Sequence, residues 1–458
     1  MKKAYIPSFQ EQDNDYCVLG LHVFSGRERN FLLNGRHGTS VLVDDALLDQ
    51  IRAKNLTDSL KLKLLQRGLA KSESSERRIS DGVDPINPGF FLIDLTDQCQ
   101  LACRYCLRTP KKECPIIDSD DLVRILSKIV EYCRRRGYTK PVIQPWGGEP
   151  LLALDRIKHA QDYLLEAGLC PQIAVESNGI GFSRELVREM VSRQWRLGIS
   201  LDGPEPIHNR QRPMEDGRGS YSEVIAAIRM LQEYGETVLD HVIAVVTPET
   251  VSFDSYLRFF FDEIGLEFVK INPVKELGRR SNEIDTVWNL ADVRSFWKNL
   301  AEQTVRRHKD SMKGVELNLK TRMMNLLKRS PGSVCLSRGC LGGKRMVAFS
   351  RKGMIFPCDV TDYTETALGA IQTAKGLDDV LNDFWNKHDS NPSCKNRDAC
   401  PWFAYCRGGC RSASKSWPPG KHDKVDVLSC TINKAVYPVL VEYLLEDPEA
   451  AFDFAFRS

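Results

Sequence analysis

Three cysteines stand close together in the first quarter of the chain: Cys99, three residues, Cys103, two residues, Cys106. Thiolates on one loop at this spacing can hold three irons of a 4Fe-4S cube and leave the fourth iron open to a substrate or cofactor. Zinc is the alternative, but a structural zinc site wants four donors, and Cys114 is the one further thiol nearby. Eight more cysteines, Cys335, Cys340, Cys358, Cys394, Cys400, Cys406, Cys410 and Cys430, follow in a loop-rich stretch with Gly and Pro. Eight thiols suit two four-ligand sites, of iron and sulfur or of zinc, and bound metal would supply much of such a segment's stability. Cys17, Cys114, Cys133 and Cys170 stand apart and read as buried or incidental thiols, because free Cys packs as a small hydrophobe.

The elements that must position these groups alternate. FFLIDLT, PVIQPWGG, QIAVESNG, RLGISLDGP, HVIAVVT and EFVKINPV are bounded apolar runs of strand length, and helical patterns such as SDDLVRILSKIVEYCRRRG and SFDSYLRFFFDEIG lie between them. Six alternations imply a parallel sheet wrapped by helices, either an open doubly wound sheet or a partial barrel. Sites in such folds lie at the carboxyl ends of the strands, where this chain carries Thr96, Gly147, Gly148, Glu149, Ser177, Asn178, Asp202 and Asn272. Ahead of them, GLHVFSG and FLLNGRHGTSVLV read as strands, DDALLDQIRAKN and TDSLKLKLLQRG as helices, and AKSESSERRISDGVDPINPG as a linker. After Asn289 come two helical stretches, then the cysteine-bearing loops.

CQLACRYC, placed after a first strand and with Tyr105 at the aromatic position, resembles the signature of the radical S-adenosylmethionine (radical SAM) enzymes. WGGEP, from Trp146 to Pro150, resembles the family's turn for the methionyl amino group, where Glu149 would meet an ammonium and Gly147, Gly148 and Pro150 would shape the approach. ESNG resembles the ribose and carboxylate contacts, through Ser177 and Asn178. SLDGPEPIHNRQR resembles the segment at the fourth strand, with Asp202, His208, Arg210 and Arg212 as candidate cofactor or peptide contacts. The later cysteines are similar to a SPASM domain, which implies one auxiliary cluster on Cys335, Cys340, Cys358 and Cys410 and another on Cys394, Cys400, Cys406 and Cys430. Cys394 and Cys400 are separated by five residues where that pattern usually has two. Asp359, directly after Cys358, matches an aspartate that sulfatase-maturating members use as a proposed base.

The resemblance implies an α/β fold: a partial (β/α)6 TIM-like barrel over residues 86–310, between a small winged-helix-like α+β domain at 1–85 and a SPASM domain at 311–458 that ends in a helix. It implies three 4Fe-4S clusters and S-adenosylmethionine, reductive cleavage to a 5'-deoxyadenosyl radical, and a small electron-donor protein, flavodoxin or ferredoxin. The N-terminal unit resembles the recognition element of peptide-modifying members, which can hold a leader peptide as an added strand. The implied activity is oxidative crosslinking of a ribosomally made precursor peptide, as a thioether or a carbon-carbon bond. Oxidation of a protein residue, as in sulfatase maturation, is the alternative enzyme; a zinc-stabilised peptide-binding module without catalysis is the alternative of another class.

Composition narrows the surroundings. A formal charge of +3 carries no basic excess of the kind that marks nucleic-acid binders. No run of about 18 apolar residues occurs, so no membrane span is expected, and the N-terminal lysines precede no apolar stretch of a secretory signal. Fifteen cysteines suit metal ligation in a reducing compartment, so a cytoplasmic location is expected.

Overall fold

Alternation of apolar residues builds the strands, and the computed structural model describes residues 1–10, 16–72, 86–108, 114–235, 238–275, 287–327, 335–336, 339–360, 366–372, 376–387, 394, 396–415, 417 and 424–457. Most of the linker expected from the sequence lies outside these residues. The N-terminal strands are β1 (Lys2–Ile6), β2 (Phe9–Gln10), β3 (Cys17–Val18), β4 (Leu21–Ser25), β5 (Asn30–Asn34), β6 (Thr39–Val43) and β7 (Ala70–Lys71). They form an antiparallel sheet in the order β1-β4-β5-β6 and a smaller one in the order β2-β3-β7. Helices Asp45–Arg52 and Asp58–Gln66 each open on a side-chain cap, from Asp44 and Thr57. Their Leu48, Ile51, Leu60 and Leu64 pack with Val23, Leu32 and Val41 into a separate core. The opposite face of this sheet carries Phe24, which stacks on Trp402 at 5.3 Å between ring centres and so joins the N-terminal unit to the cysteine-rich segment.

The central strands are β8 (Phe90–Thr96), β9 (Val142–Gly147), β10 (Gln172–Ser177), β11 (Arg196–Ser200), β12 (Leu239–Val246) and β13 (Phe268–Pro273), each parallel to the next. β14 (Val315–Glu316) extends one edge, and β15 (Met346–Phe349), β16 (Met354–Phe356) and β17 (Gly369–Ala370) extend the other, with β15 parallel to β8. The chain that bears Cys358 therefore grows directly out of the sheet that bears Cys99. This is the α/β arrangement of a partial barrel.

One face of each strand packs on the helices: Ile93, Val175, Leu197, Val242 and Val269 share a core with Leu126, Leu164, Val187 and Val224. Burying these apolar side chains contributes roughly 1.5–3 kcal/mol each. The other residues of each strand face inward, and there Leu92, Met346, Ala348, Phe356 and Cys358 form a smaller cluster.

Two elements differ from the expectation. SFDSYLRFFFDEIG winds as a π-helix over Arg258–Glu263, in which the Ile264 amide donates to the Phe259 carbonyl at 3.0 Å, five residues back. The wider turn lets three consecutive aromatics, Phe259, Phe260 and Phe261, all stay buried. PEPIHNRQR, read as part of a strand segment, contains a helix over Glu205–Gln211. No helix among the described residues is long and apolar enough to cross a membrane.

Candidate functional site

The loop after β8 carries Cys99, Cys103 and Cys106, and it is held by backbone hydrogen bonds to a distant segment. Ala102 N donates to Pro213 O at 2.9 Å, Arg104 N to Gln211 O at 3.0 Å, and Glu215 N to Gln100 O at 3.1 Å. Leu101 and Met214 complete a short antiparallel bridge. Cys103 is buried, and Cys99 Sγ accepts from Leu101 N at 3.4 Å and from Asn178 Nδ2 at 3.6 Å. Burial pushes the Cys99 thiol up to about 12, and Glu149 adds to the shift. Cys103 is likewise pushed up to about 12 by burial, against the opposing charge of Arg212. Thiols in such a place ionise only when a cation shares their charge, and amide donors to sulfur favour that state, so the three fit a 4Fe-4S cluster.

The turn after β9 locks onto the same loop. Gly147 has φ of +140°, and a Cβ there would lie 2.1 Å from Thr96 O; at Gly148 it would lie 2.2 Å from Gln98 O. The glycines thus admit the backbone bonds Gly148 N to Thr96 O and Glu149 N to Gln98 O, both 2.7 Å. The glycines bring this turn close to the cysteine loop. Pro150 opens a short helical turn, Pro150–Ala153. Glu149 is buried, its Oε1 accepting from Ser177 Oγ at 3.0 Å and its Oε2 from Asn178 N at 2.8 Å. Burial pushes its carboxyl up to about 7 although these bonds oppose the shift. Asn178 Nδ2 reaches Gln100 Oε1 at 3.1 Å, so the ends of β9 and β10 and the cysteine loop form one network.

Asp202 is fully buried and saturated with partners. Its Oδ2 accepts from Tyr105 Oη at 2.6 Å and pairs with Arg212 Nε at 3.0 Å, while its Oδ1 accepts from Val245 N at 3.0 Å. The Arg212 guanidinium also lies over the Tyr105 ring, 5.2 Å from its centre. His208 Nδ1 accepts from Asp202 N at 3.2 Å, which leaves Nε2–H for Ser220 Oγ at 3.0 Å. Burial lowers this imidazole to about 4, so it is neutral. Asp202, Tyr105, Arg212 and His208 therefore brace the cysteine loop. Arg210 stands outside this group: about half exposed, it pairs with Glu249 at 3.5 Å, beside Arg104 at 3.1 Å.

Sequence reasoning missed Gln100, Gln211, Asp94, Asp97, Arg108 and Arg351. Gln211 is 1 % exposed, and neither of its amide atoms has a partner among the described residues. Arg108 bridges Asp94 at 2.7 Å and Asp97 at 2.5 Å, and Arg351 also pairs with Asp97. Cys114 is tied into this group, its sulfur accepting from Asp97 N at 3.2 Å and Arg351 Nη1 at 3.3 Å, so it is no incidental thiol. Polar residues without a local motif gave no signal for any of these.

The later cysteines fall into two neighbourhoods. Cys340, Asp359 and Cys410 lie within electrostatic reach of Cys335, and the same three lie within reach of Cys358, whose thiol is raised by burial. Cys394, Cys400 and Cys430 surround Cys406, also pushed up to about 12 by burial first. Backbone amides of Gly342 and Arg411 donate to Cys340, that of Trp402 to Cys400 and that of Gly408 to Cys406. Each group of four could hold an iron-sulfur cluster. Asp359 is raised by burial, with Lys275 opposing and Glu176 adding to the shift. Among the described residues no three His, Cys, Asp or Glu side chains are already gathered around a single metal ion.

Residues 93–259 match the model of the Radical SAM superfamily. The chain is 24% identical over 337 residues to the cysteine-type anaerobic sulfatase-maturating enzyme of Clostridium perfringens, a likeness covering 69% of this chain and 87% of that protein. Among solved structures it resembles native anSMEcpe with bound AdoMet and Cp18Cys peptide, at a TM-score of 0.65 and 19% identity, over 79% of this chain and 99% of that one. It also resembles Streptococcus suis SuiB bound to precursor peptide SuiA, at a TM-score of 0.55 and 15% identity, over 90% of this chain and 98% of that one. The structural likenesses are ones of fold. Residues 93–259, which carry the cysteine signature, are thus similar to the Radical SAM superfamily, and the likeness to sulfatase-maturating enzymes marks the chain as an enzyme.

Proposed function

We propose that this enzyme oxidises one residue of a peptide by two electrons. Cys99, Cys103 and Cys106 hold the first cluster, and Glu149, Ser177 and Asn178 are the cofactor-binding groups at the ends of β9 and β10, on the turn shaped by Gly147, Gly148 and Pro150. The cluster with S-adenosylmethionine supplies a 5'-deoxyadenosyl radical at this place. Tyr105 and Asp202 orient the cysteine loop, and Arg210 with Arg104 and Glu249 forms the polar rim. Asp359 is the base that takes the substrate's proton, which its recessed position suits because a carboxyl raised by burial holds a proton more readily. The groups Cys335, Cys340, Cys358, Cys410 and Cys394, Cys400, Cys406, Cys430 hold two auxiliary clusters, and a flavodoxin or ferredoxin supplies electrons in a reducing cytoplasm.

The observation that carries a peptide substrate is the N-terminal unit: its sheet ends in the exposed edge strand β1, a place where an extended leader can add as a strand. The fold it shares with a chain described as bound to a precursor peptide spans 90% of this one. The finer product has two readings. The N-terminal unit favours a precursor peptide whose oxidised carbon is joined to sulfur or to another carbon. The sequence likeness to a sulfatase-maturating enzyme favours oxidation of the residue with no new linkage, and it is the stronger sequence signal.

The test is anaerobic incubation of the reconstituted protein with S-adenosylmethionine, dithionite and cysteine-bearing peptides, followed by mass spectrometry of 5'-deoxyadenosine and peptide. An oxidised peptide formed with 5'-deoxyadenosine is expected, and fragmentation across the modified residue separates the two products. Formation of 5'-deoxyadenosine with every peptide unchanged would overturn the peptide reading.

A further inference from the structure

The inner face of β10 to β13 carries a charged row that the site described above does not use. Val175, Leu197, Val242 and Val269 turn toward the helices, so Glu176, Gly198, His241 and Lys270 turn inward by strand alternation. Strand register sets Glu176 opposite Gly198 and Gly198 opposite His241, and Lys270 lies opposite Ile243 on the next strand. A carboxylate on β10 would ordinarily be blocked by a side chain on β11. Here Gly198 leaves the way open: a Cβ at that position would lie 2.0 Å from Glu176 Oε2 and 2.7 Å from its carboxyl carbon.

Across this gap Glu176 Oε1 meets His241 Nε2 at 3.2 Å. Lys270 Nζ reaches the same nitrogen at 3.0 Å, and His241 Nδ1 meets Asp240 Oδ2 at 2.9 Å. One nitrogen thus has two competing partners. When Lys270 donates to Nε2, the ring proton sits on Nδ1 and bonds Asp240; when Nε2 is protonated, it donates to Glu176. The other oxygen, Glu176 Oε2, is buried and has no partner among the described residues. Glu176 lies within electrostatic reach of Asp359. At the far end Asp240 pairs with Arg196, whose side chain is 55 % exposed.

We infer that Glu176, His241 and Asp240 form a proton exit line from the inner chamber to the surface, and the inference rests on the oxidation proposed above. In that oxidation a substrate C–H bond gives its hydrogen atom to the 5'-deoxyadenosyl radical. The carbon radical left behind loses one proton from a neighbouring S–H or O–H and one electron to an iron-sulfur cluster, and a carbon-heteroatom double bond forms. The proton, taken first by Asp359, passes to Glu176, then from its Oε1 to His241 Nε2. The Nδ1 proton moves to Asp240 and from there to water, and return of the remaining ring proton from Nε2 to Nδ1 by exchange with solvent resets the line. Lys270 keeps Nε2 an acceptor between turnovers.

The groups facing His241 are Asp240 on its own strand, Glu176 on β10 and Lys270 on β13, and Arg196 on β11 faces Asp240. Below the His241 pKa its Nε2 is already protonated and blocks the line, so product per 5'-deoxyadenosine rises with pH through that titration. Burial lowers this imidazole, but Asp240 and Glu176 outweigh it and raise the pKa above the ordinary histidine value.

The experiment compares wild type with Glu176→Gln, His241→Gln and Gly198→Ala, using reconstituted holoenzyme and a cysteine-bearing peptide that wild type oxidises. It reads oxidised peptide per 5'-deoxyadenosine between pH 6 and 9, a range spanning the ordinary histidine value, with circular dichroism as the fold control. The expected result is a fall in this ratio on the order of ten-fold or more in each variant, with the pH dependence flattened in His241→Gln. Gly198→Ala reaches the same end by displacing the carboxylate without altering a titrating group. Added imidazole restores product in a His241→Gly variant. Unchanged ratios in folded variants, or parallel loss of peptide product and 5'-deoxyadenosine, overturn the exit line while the oxidation stands. A wild type that makes 5'-deoxyadenosine but oxidises no peptide overturns both.

Discussion

Cys99, Cys103 and Cys106 sit on a loop that the barrel holds by itself, whereas of the later cysteines Cys358 follows a strand of the sheet, Cys406 and Cys430 lie on helices, and Cys394, Cys400 and Cys410 sit on turns. The first loop is fixed by backbone bonds to residues 211–215, by the WGGEP turn and by the Asp202 group. Around Cys394, Cys400, Cys406 and Cys410 the described residues form the four-residue helix Phe403–Cys406 and scattered turns. The difference teaches that one thiol set is organised by a hydrophobic fold, while the other must draw its order from what its thiols bind.

The sharpest break in the comparison is replacement of Cys99, Cys103 and Cys106 together by Ala. Formation of 5'-deoxyadenosine should drop to background while the circular dichroism spectrum and melting of the barrel stay close to wild type; a collapsed barrel would show that the loop depends on metal after all. Asp202→Asn comes next. It leaves the Arg212 guanidinium buried without its carboxylate, an expected loss of about 3–5 kcal/mol in denaturant unfolding. Removal of iron by a chelator should raise proteolytic cleavage within residues 335–430 about ten-fold, on the order of 1.4 kcal/mol of local opening, with little cutting in residues 90–273. Equal protection of both regions would erase the distinction.

Tyr105→Phe removes one hydrogen bond to a charged group and should cost about 1.5–3 kcal/mol of loop stability, seen as weaker retention of iron at the first site but not at the others. The mildest effect concerns Glu316, which accepts from Ile271 N at 2.9 Å and Leu319 N at 2.7 Å at the barrel's edge. Burial raises its carboxyl from an ordinary 4.5 to about 7. Between these values the folded chain holds a proton that the unfolded chain has released, so stability falls as pH rises through that window. Glu316→Gln should flatten the fall, as equilibrium unfolding at pH 5 and pH 7.5 would reveal, the two lying either side of most of the window.

Much of this was legible because it is local. CQLACRYC after a strand, the glycine pair before Glu149, and Ser177-Asn178 ending a strand are set by spacing and by period-two alternation, and the six strands lie close to where that alternation placed them. The helix Glu205–Gln211 was missed because its seven residues include Pro206 and Asn209, which weaken a helical pattern. Cys114 and Arg351 read as unremarkable because their meeting spans 237 positions of sequence.

The sequence by itself determined the succession of apolar strand runs and the spacing of the three-cysteine motif, because each depends on residues within one turn or one strand. Only the tertiary structure decided that residues 211–215 clasp the cysteine loop, that Asp202 braces it, and that Gly198 opens a path from Glu176 to His241. Those arrangements depend on the register between strands that are far apart in the chain, and register is fixed by the packing of the whole sheet against its helices.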